Sequence, residues 1–455
     1  MRTLTRRQVL TGAAAAPLVV PARALGRGAT PPSDRVTLAL IGSGGRGVGE
    51  GRLYTKSTGC EFVAMCDPRE DRRLNAKAVF EKIYGDEKRS GVYRGIEVYA
   101  DFRDVLRRKD IDAVHIATPD HWHVPVTIAA AKAGKDMHTE KPLGVSIEQD
   151  LAARKAVRAR RRIFQYGAER RSTAEARHAV ELVLNGRIGE VRKIWVVAPC
   201  SETGGSPTPV LPVPKGFDYD LWLGPAPEAP FCHDRCLVSG QRNGIFHIYD
   251  YCIGFIAGWA AHPLDQVQWW ADNAGLTMPV KYEGKGKLPA SGLFNCVYEW
   301  DVQCTYSNGL VLHMVDNETY KKYRDAPHPD LARPGVDFVH NAAIFIGSKG
   351  WVAIAYEKVA TEPASLASSE IGPTEKHLMN SESHQLSWVR AVRERTDPVG
   401  VVESAVRSDL VSHLCDIAVR TGRTIHWDPV KETITGDDAA RKMMHRPMRK
   451  PWTLS

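Results

Sequence analysis

The sequence predicts an α/β protein in two parts: a doubly wound parallel sheet, followed by an α/β domain with a large, mainly antiparallel open sheet. Three observations predict it. Short apolar strands alternate with helix-length segments between residues 35 and 166, the pattern of a parallel sheet with helices on both faces. The first of these strands runs directly into a glycine-rich turn, Gly42-Ser43-Gly44-Gly45-Arg46-Gly47. Beyond Gly167, strand-like stretches at 190–198, 294–306, 310–315 and 343–347 follow without that regular alternation. A chain of 455 residues suits two or three domains.

The N-terminus reads as a targeting segment. Thr5-Arg6-Arg7-Gln8-Val9-Leu10 fits a twin-arginine pattern, a weakly apolar stretch covers 10–20, and Ala22-Arg23-Ala24 offers an A-x-A cleavage site. Pro17 and Pro21 interrupt that region, and it falls short of the roughly 20 apolar residues a membrane span needs. Residues 25–33 read as a linker. The expectation is a protein exported already folded by the twin-arginine translocase into the periplasm or another extracytoplasmic space, with no membrane anchor.

The elements of the first half follow in order. Residues 35–41 form the opening strand. Gly42 then permits a tight turn, Gly44 lets the backbone approach a pyrophosphate, and Gly47 lets helix and strand pack closely. Ser43, Gly45 and Arg46 complete a loop whose helix N-terminus offers free N–H groups and partial positive charge to phosphates. A second strand, 61–67, ends in Asp67, 20 residues past Gly47. A carboxylate there accepts both ribose hydroxyls and repels a 2′-phosphate, so a Rossmann-type site for NAD is expected. Arg69 and Arg72 lie close enough to leave NADP as the second choice.

Helices at 102–108, 124–133 and 146–160 alternate with strands at 113–117, 136–139 and 163–166. Ligands sit at the carboxyl ends of such strands. That puts Thr118-Pro119-Asp120-His121-Trp122-His123 and Glu140-Lys141-Pro142 on the cofactor edge. Thr118, Pro119, Trp122, His123, Glu140 and Lys141 are the expected cofactor contacts, with the Trp122 ring packing on the cofactor and His123 held by structural hydrogen bonds.

Those two segments resemble the Gfo/Idh/MocA family of sugar and cyclitol oxidoreductases. So do Gln165-Tyr166-Gly167-Ala168-Glu169-Arg170-Arg171, Asp220-Leu221-Trp222-Leu223-Gly224-Pro225 and Gly258-Trp259-Ala260-Ala261-His262-Pro263-Leu264-Asp265. The ending, Trp427-Asp428-Pro429 through Arg449-Lys450-Pro451-Trp452, is similar to a large exported subgroup. The resemblance covers nearly the whole chain from Arg35 onward. It implies three parts: 1–33, signal and linker; 34–166, the NAD-binding domain; and 167–455, a substrate-binding and oligomerisation domain that includes the C-terminal tail.

The resemblance also implies roles. Lys141 touches both nicotinamide ribose and substrate, and His262 acts as acid/base, with Asp265 three residues on and on the same helix face. The family usually has an Asp four residues before that His; Gly258 stands there, so the Lys–Asp–His relay is incomplete as written. Oxidising a secondary alcohol needs a base for the hydroxyl proton. His262, with a free-solution pKa of about 6.5, suits that task, and Lys141 polarises the oxygen or relays its proton. Lys141 and His262 are the catalytic candidates. Arg171, Asp265 and Tyr251 are the expected substrate contacts, with Trp195 and Tyr249 beside them as candidates. The back of the second sheet is the implied contact of a homo-oligomer, a dimer or tetramer.

Composition narrows the alternatives. The formal charge of +8 falls to +4 once the four arginines before residue 25 are set aside, too mild and scattered for a nucleic-acid partner. Nine thinly spread cysteines are not a disulfide scaffold. Cys232-His233-Asp234-Arg235-Cys236 lacks a second ligand pair, so free thiols or one local disulfide are expected and no metal. Three functions remain open. One is a sugar or cyclitol oxidoreductase, with export implying tightly held, recycled NAD. Another is a redox-neutral glycosidase, lyase or epimerase that uses NAD transiently. The last is a non-catalytic sugar sensor. Lys141 argues against the glycosidase branch, which lacks EKP at that position, and Lys141 with His262 argues against the sensor.

Overall fold

The computed structural model describes residues 35–57, 59–86, 95–205, 210–236, 244–325, 341–355 and 358–455. The expected signal and linker, 1–33, lie outside the described residues.

The first unit is a six-stranded parallel sheet in the order β3-β2-β1-β4-β5-β6. It is built from β1 (Val36–Ile41), β2 (Cys60–Cys66), β3 (Glu97–Tyr99), β4 (Ala113–Ile116), β5 (Asp136–Thr139) and β6 (Phe164–Tyr166). The helices are α1 (Gly45–Tyr54), α2 (Glu70–Asp86), α3 (Phe102–Arg107), α4 (Asp120–Lys132) and α5 (Ile147–Ala159). β4 and β5 are buried at every position, as strands covered on both faces must be, although His115, Asp136, His138 and Thr139 bring polar side chains into that interior. Asp101 and Ser146 cap α3 and α5, accepting from the backbone N–H of Arg103 and Gln149. The three-residue β3 carries too little pattern to be read from sequence.

The second unit holds a nine-stranded mixed sheet, ordered β13-β12-β11-β7-β10-β9-β8-β14-β15. Its strands are β7 (Val191–Ala198), β8 (Lys281–Lys287), β9 (Glu299–Thr305), β10 (Val311–Asp316), β11 (Ala342–Gly347), β12 (Trp351–Ala355), β13 (Val359–Glu362), β14 (Ile425–Asp428) and β15 (Thr433–Thr435). Only β7 and β10 pair in parallel; the other pairings are antiparallel. Alternation along β7 shows the two faces: Ile194, Val196 and Ala198 enter the main core, while Trp195 and Val197 join a smaller cluster on the far side with Tyr320 and Ile344. The helices are α6 (Ala174–Leu184), α7 (Tyr219–Leu223), α8 (His233–Cys236), α9 (Phe255–Gly258), α10 (Ala261–Asn273), α11 (Asn317–Asp325), α12 (His384–Glu394), α13 (Val402–Thr421) and α14 (Asp438–Lys442).

The two units share one continuous core, and later parts of the chain return to the first sheet. On α12, Trp388, Val389 and Val392 join Val36, Tyr54 and Phe62 in one buried cluster. The Trp452 ring meets Trp122 edge-on at 4.7 Å, and Arg449 Nε donates to the Gly224 carbonyl at 2.9 Å. All nine cysteines carry free thiols, the alternative of a local disulfide not being realised; Cys252 and Cys296, and Cys304 and Cys415, sit with sulfurs 3.5 Å apart. Among the described residues no helix is long and apolar enough to cross a membrane.

Candidate active site

The glycine loop forms a cradle at the end of β1. Gly42 has φ of 92°, and a Cβ there would lie 2.4 Å from the Ala117 carbonyl carbon. A Cβ on Gly47 would lie 2.1 Å from the Gly42 carbonyl oxygen, whereas one on Gly45 would meet nothing within 4 Å. The inner contacts therefore demand glycine, and the outer side stays open over the first turn of α1, where backbone N–H groups face a ligand. Asp67 follows the end of β2 and is 4 % exposed. Its Oδ2 accepts from Ser43 N at 3.0 Å and its Oδ1 from Arg69 N at 2.9 Å. Burial raises this carboxyl, with Arg72 the main counterweight.

Beside Asp67 lies a small, mostly apolar pocket lined by Arg72, Phe102, Thr118, Trp122 and Leu221 among others. Trp122 Nε1 donates to the Trp222 carbonyl at 3.0 Å. Gly224 (φ 50°) lets the chain pass the indole: a Cβ would come 2.0 Å from its ring. The Thr118 hydroxyl is buried with no hydrogen-bond partner, a polar atom left for a ligand. Cradle, terminal acid, apolar pocket and orphaned hydroxyl fit a dinucleotide.

The reacting end is a cleft of about 270 Å³ that Gly44, Asp120, Lys141, Phe246, Trp259 and His262 help to line. Lys141 follows β5 and Glu140. Its Nζ donates to the Gly258 carbonyl at 2.7 Å and lies 5.8 Å from the Trp259 ring centre. Burial lowers its pKa, opposed first by Glu140 and then by Asp120. The loop after Lys141 is stapled to α13: Asp409 accepts from Leu143 N, Gly144 N and the Tyr166 hydroxyl, with Asp150 and His413 packed against it.

Burial pushes the Glu140 carboxyl up to about 7 and Asp120 up to about 8. His262 stands at the start of α10, 3 % exposed. Burial pushes it down to about 3, with Glu169 the main opposing charge. Its free-solution value therefore does not survive folding: at neutral pH the ring is an uncharged hydrogen-bonding group.

Several expected contacts are placed elsewhere. Arg46 contributes backbone to the cradle, but its guanidinium bridges Glu50, Glu140 and Glu169 at 3.0, 3.1 and 2.9 Å. Arg171 and Asp265 do not reach the cleft. They form a buried, two-pronged pair at 2.6 and 2.7 Å, with Arg171 also donating to Val399 O and Ser404 Oγ. The guanidinium is committed to a buried carboxylate rather than to the cleft. Tyr251 is 0 % exposed; its hydroxyl accepts from Arg235 at 3.1 Å and its ring packs on Trp222 and His121. Trp195 lies on the far face of the second sheet, 4.1 Å from the His313 ring. Tyr249 is covered by Arg420 and Arg446, each 3.6 Å from its ring centre. His123, as expected, bonds backbone, facing Pro142 O at 2.6 Å and Thr118 O at 2.9 Å, while also lining the cleft with Pro119 and Glu140.

Asp120, Phe246 and Trp259 are among the cleft residues that sequence reasoning missed. Asp120 sat inside a hexapeptide already assigned to the cofactor edge, and Trp259 three residues before His262, so both carried a positional signal. Phe246 carried none.

Comparison with known proteins agrees with this geometry. Residues 36–168 match the family model described as the NAD-binding Rossmann fold of the Gfo/Idh/MocA oxidoreductase family, and residues 200–454 match its C-terminal alpha/beta domain. A curated relative, glycosyl hydrolase family 109 protein 2 of Shewanella sp. (strain ANA-3), is 35% identical over 119 residues, 26% of this chain. The chain spans about a quarter of that relative's length. Among solved structures, an aldose-aldose oxidoreductase from Caulobacter crescentus is 19% identical, with a TM-score of 0.55 over 86% of this chain and 99% of that one. A scyllo-inositol dehydrogenase from Lactobacillus casei is 17% identical, with a TM-score of 0.55 over 86% and 98%. A dehydrogenase from Bordetella pertussis, in complex with NADH and UDP-GlcNAcA, is 14% identical, with a TM-score of 0.58 over 87% and 99%. At these identities the structural likeness speaks for the fold.

Proposed function

The chain belongs to the Gfo/Idh/MocA oxidoreductase family, and from that footing we propose that it oxidises a secondary alcohol of a sugar, glycoside or cyclitol with tightly bound, recycled NAD. One observation carries this reading: Lys141 and His262 share a cleft with the glycine cradle and with the rings of Phe246 and Trp259. Aromatic faces suit the C–H face of a sugar ring, and the two nitrogen groups suit its hydroxyl.

Bound NAD supplies the hydride acceptor. The protein does the rest. Lys141, whose pKa burial lowers, takes the hydroxyl proton at Nζ. The Gly258 carbonyl fixes that nitrogen. Uncharged His262 orients the hydroxyl oxygen by hydrogen bonding, and Phe246 and Trp259 hold the ring and narrow the access of water.

Retention of NAD follows from the proposed export of the folded protein to the periplasm, where a lost cofactor is not dependably replaced. Each additional 1.4 kcal/mol of binding gives about a tenfold gain in retention. The test is purification without added cofactor, then denaturation and quantification of released dinucleotide. About one NAD(H) per subunit, with a bound reduced signal on adding a sugar from a screened panel, supports the reading. An empty protein that turns over only with external NAD and releases NADH each cycle overturns it. Replacing Arg6 and Arg7 with Lys tests export: delivery to the periplasm should fail. Sedimentation tests the proposed homodimer or tetramer.

A redox-neutral glycosidase is the second reading, favoured by the name of the curated relatives. Release of nitrophenol from a nitrophenyl glycoside without net reduction of NAD distinguishes it.

A further inference from the structure

Helices α5 and α13 pack against each other behind the loop that leads on from Lys141, and three side chains meet there. Asp150 comes from the first turn of α5, and Asp409 and His413 stand one turn apart on α13. All three are buried, at 0 %, 1 % and 4 % exposed. One ligand atom from each lies within 4.8 Å of the others. His413 Nε2 is 3.2 Å from Asp150 Oδ2 and 3.7 Å from Asp409 Oδ2.

This closeness is not hydrogen bonding. Both oxygens of Asp150, and His413 Nε2, are buried without a hydrogen-bond partner. Among the described residues, no lysine or arginine forms an ion pair with either acid; His413 is the one basic group against them. Asp409 accepts from Leu143 N, Gly144 N and the Tyr166 hydroxyl. A carboxylate has about four lone-pair sites, so Asp409 keeps room for another partner. A proton shared between the two acids would satisfy one contact and leave the imidazole nitrogen and an Asp150 oxygen unpartnered. A divalent cation takes one atom from each residue and offsets both negative charges.

The donors are one imidazole nitrogen and two carboxylate oxygens, a set that suits a borderline divalent ion. Zinc binds such atoms tetrahedrally at about 2.0–2.2 Å, which sets neighbouring ligand atoms about 3.3–3.6 Å apart. The two separations from His413 Nε2 bracket that range.

We propose that Asp150, Asp409 and His413 bind one zinc ion, which ties α5 to α13 and braces the loop leading on from Lys141. None of the three lines the cleft, so the ion acts on structure and not on substrate. The bracing runs through Asp409, which holds the N–H groups of Leu143 and Gly144. Gly144 is pressed against the same cluster: a Cβ there would lie 2.5 Å from Asp150 Oδ1. The ligands come from two helices far apart in the chain, so no spacing motif announces them, unlike Cys232 and Cys236.

The experiment takes the full chain, untagged, purified without chelator from zinc-containing medium, and counts metals by inductively coupled plasma mass spectrometry. Wild type should hold about one zinc ion per chain, and Asp150→Asn and His413→Gln should each lose it. X-ray absorption at the zinc edge should show nitrogen and oxygen ligands with a single imidazole and no sulfur. Stripping zinc with dipicolinate should lower the wild-type melting temperature by about 5 °C or more, and added zinc should restore it. Neither treatment should move Asp150→Asn. Wild type without stoichiometric zinc, and with a melting temperature that added zinc does not raise, overturns the proposal; the acids then share a proton. Zinc retained in both variants, or sulfur in its coordination shell, also overturns it and points to the cysteines. Should neither variant fold, the wild-type absorption spectrum decides. None of these readouts depends on sugar oxidation.

Discussion

The backbone N–H of Ser43 donates to the Asp67 carboxylate at 3.0 Å, so the glycine loop itself orients the acid at the end of β2. With Arg69 N on the other oxygen, the carboxylate is fixed before any ribose arrives. Asp67→Ala should weaken NAD binding about tenfold or more, the size of a lost charge-assisted pair. It should also relax discrimination against NADP, because Arg72 remains in the same pocket to meet a 2′-phosphate. Titration of both dinucleotides by calorimetry checks this; unchanged affinity for both would remove Asp67 from the ribose.

Lys141→Ala and His262→Ala should each lower turnover about a hundredfold or more while leaving NAD bound. Steady-state kinetics on the screened sugar, with bound dinucleotide measured alongside, is the check. A variant with wild-type turnover takes its residue out of the mechanism.

Arg171→Met should act on stability, not on substrate. It strands the Asp265 carboxylate in the core, at a cost of about 3–5 kcal/mol for breaking a buried pair. The unfolding midpoint should fall clearly while NAD affinity stays close to wild type. The opposite result, intact stability and a raised KM, would return Arg171 to the substrate.

His247 gives a pH prediction with one physical cause. Burial alone lowers its pKa from 6.5 to about 4. Its Nδ1 accepts from Glu202 N at 3.2 Å, and its ring packs on Phe255 and Phe294. Between pH 6.5 and 4 the unfolded chain binds the proton and the native chain does not, so His247 contributes stability above that window and loses it as pH falls through it. His247→Gln does not titrate there. The gap in melting temperature between wild type and His247→Gln should therefore narrow as pH drops from 7.5 to 4.5. A gap that stays constant or widens would mean the native imidazole is already charged.

What was legible in the sequence was what a short stretch of chain dictates. β1, the glycine turn and Asp67 form one local unit whose backbone geometry needs those residue types in that order, and Lys141 stands at the end of a buried strand. Arg171 and Asp265 were misread because spacing reports which face of an element a residue occupies, not which partner waits there. Asp265 shares a helix face with His262, yet its neighbour comes from the chain before β7. Tyr251 and Tyr249 failed for the same reason, being taken up by Arg235, Arg420 and Arg446. Asp120 escaped because an acid at a helix start is usually a simple cap; only its burial at the cleft sets it apart. The antiparallel pairing of β8 with β14, and the return of α12 to β1, depend on contacts between distant stretches that no local pattern encodes.

The packing of Trp452 on Trp122, with Arg449 holding the Gly224 turn, has a consequence for the order in which the protein is made. Translation delivers residues 36–168, the whole nucleotide-binding sheet, long before residue 452. A ribosome partway along the message thus carries the strands of that sheet with the Trp122 indole, in the pocket beside Asp67, still uncovered by Trp452. Capture of NAD would then be a late event in biogenesis, coupled to completion of the C-terminal arm. A chain stalled or clipped upstream of Arg449 would fold its sheet and yet fail to keep its cofactor.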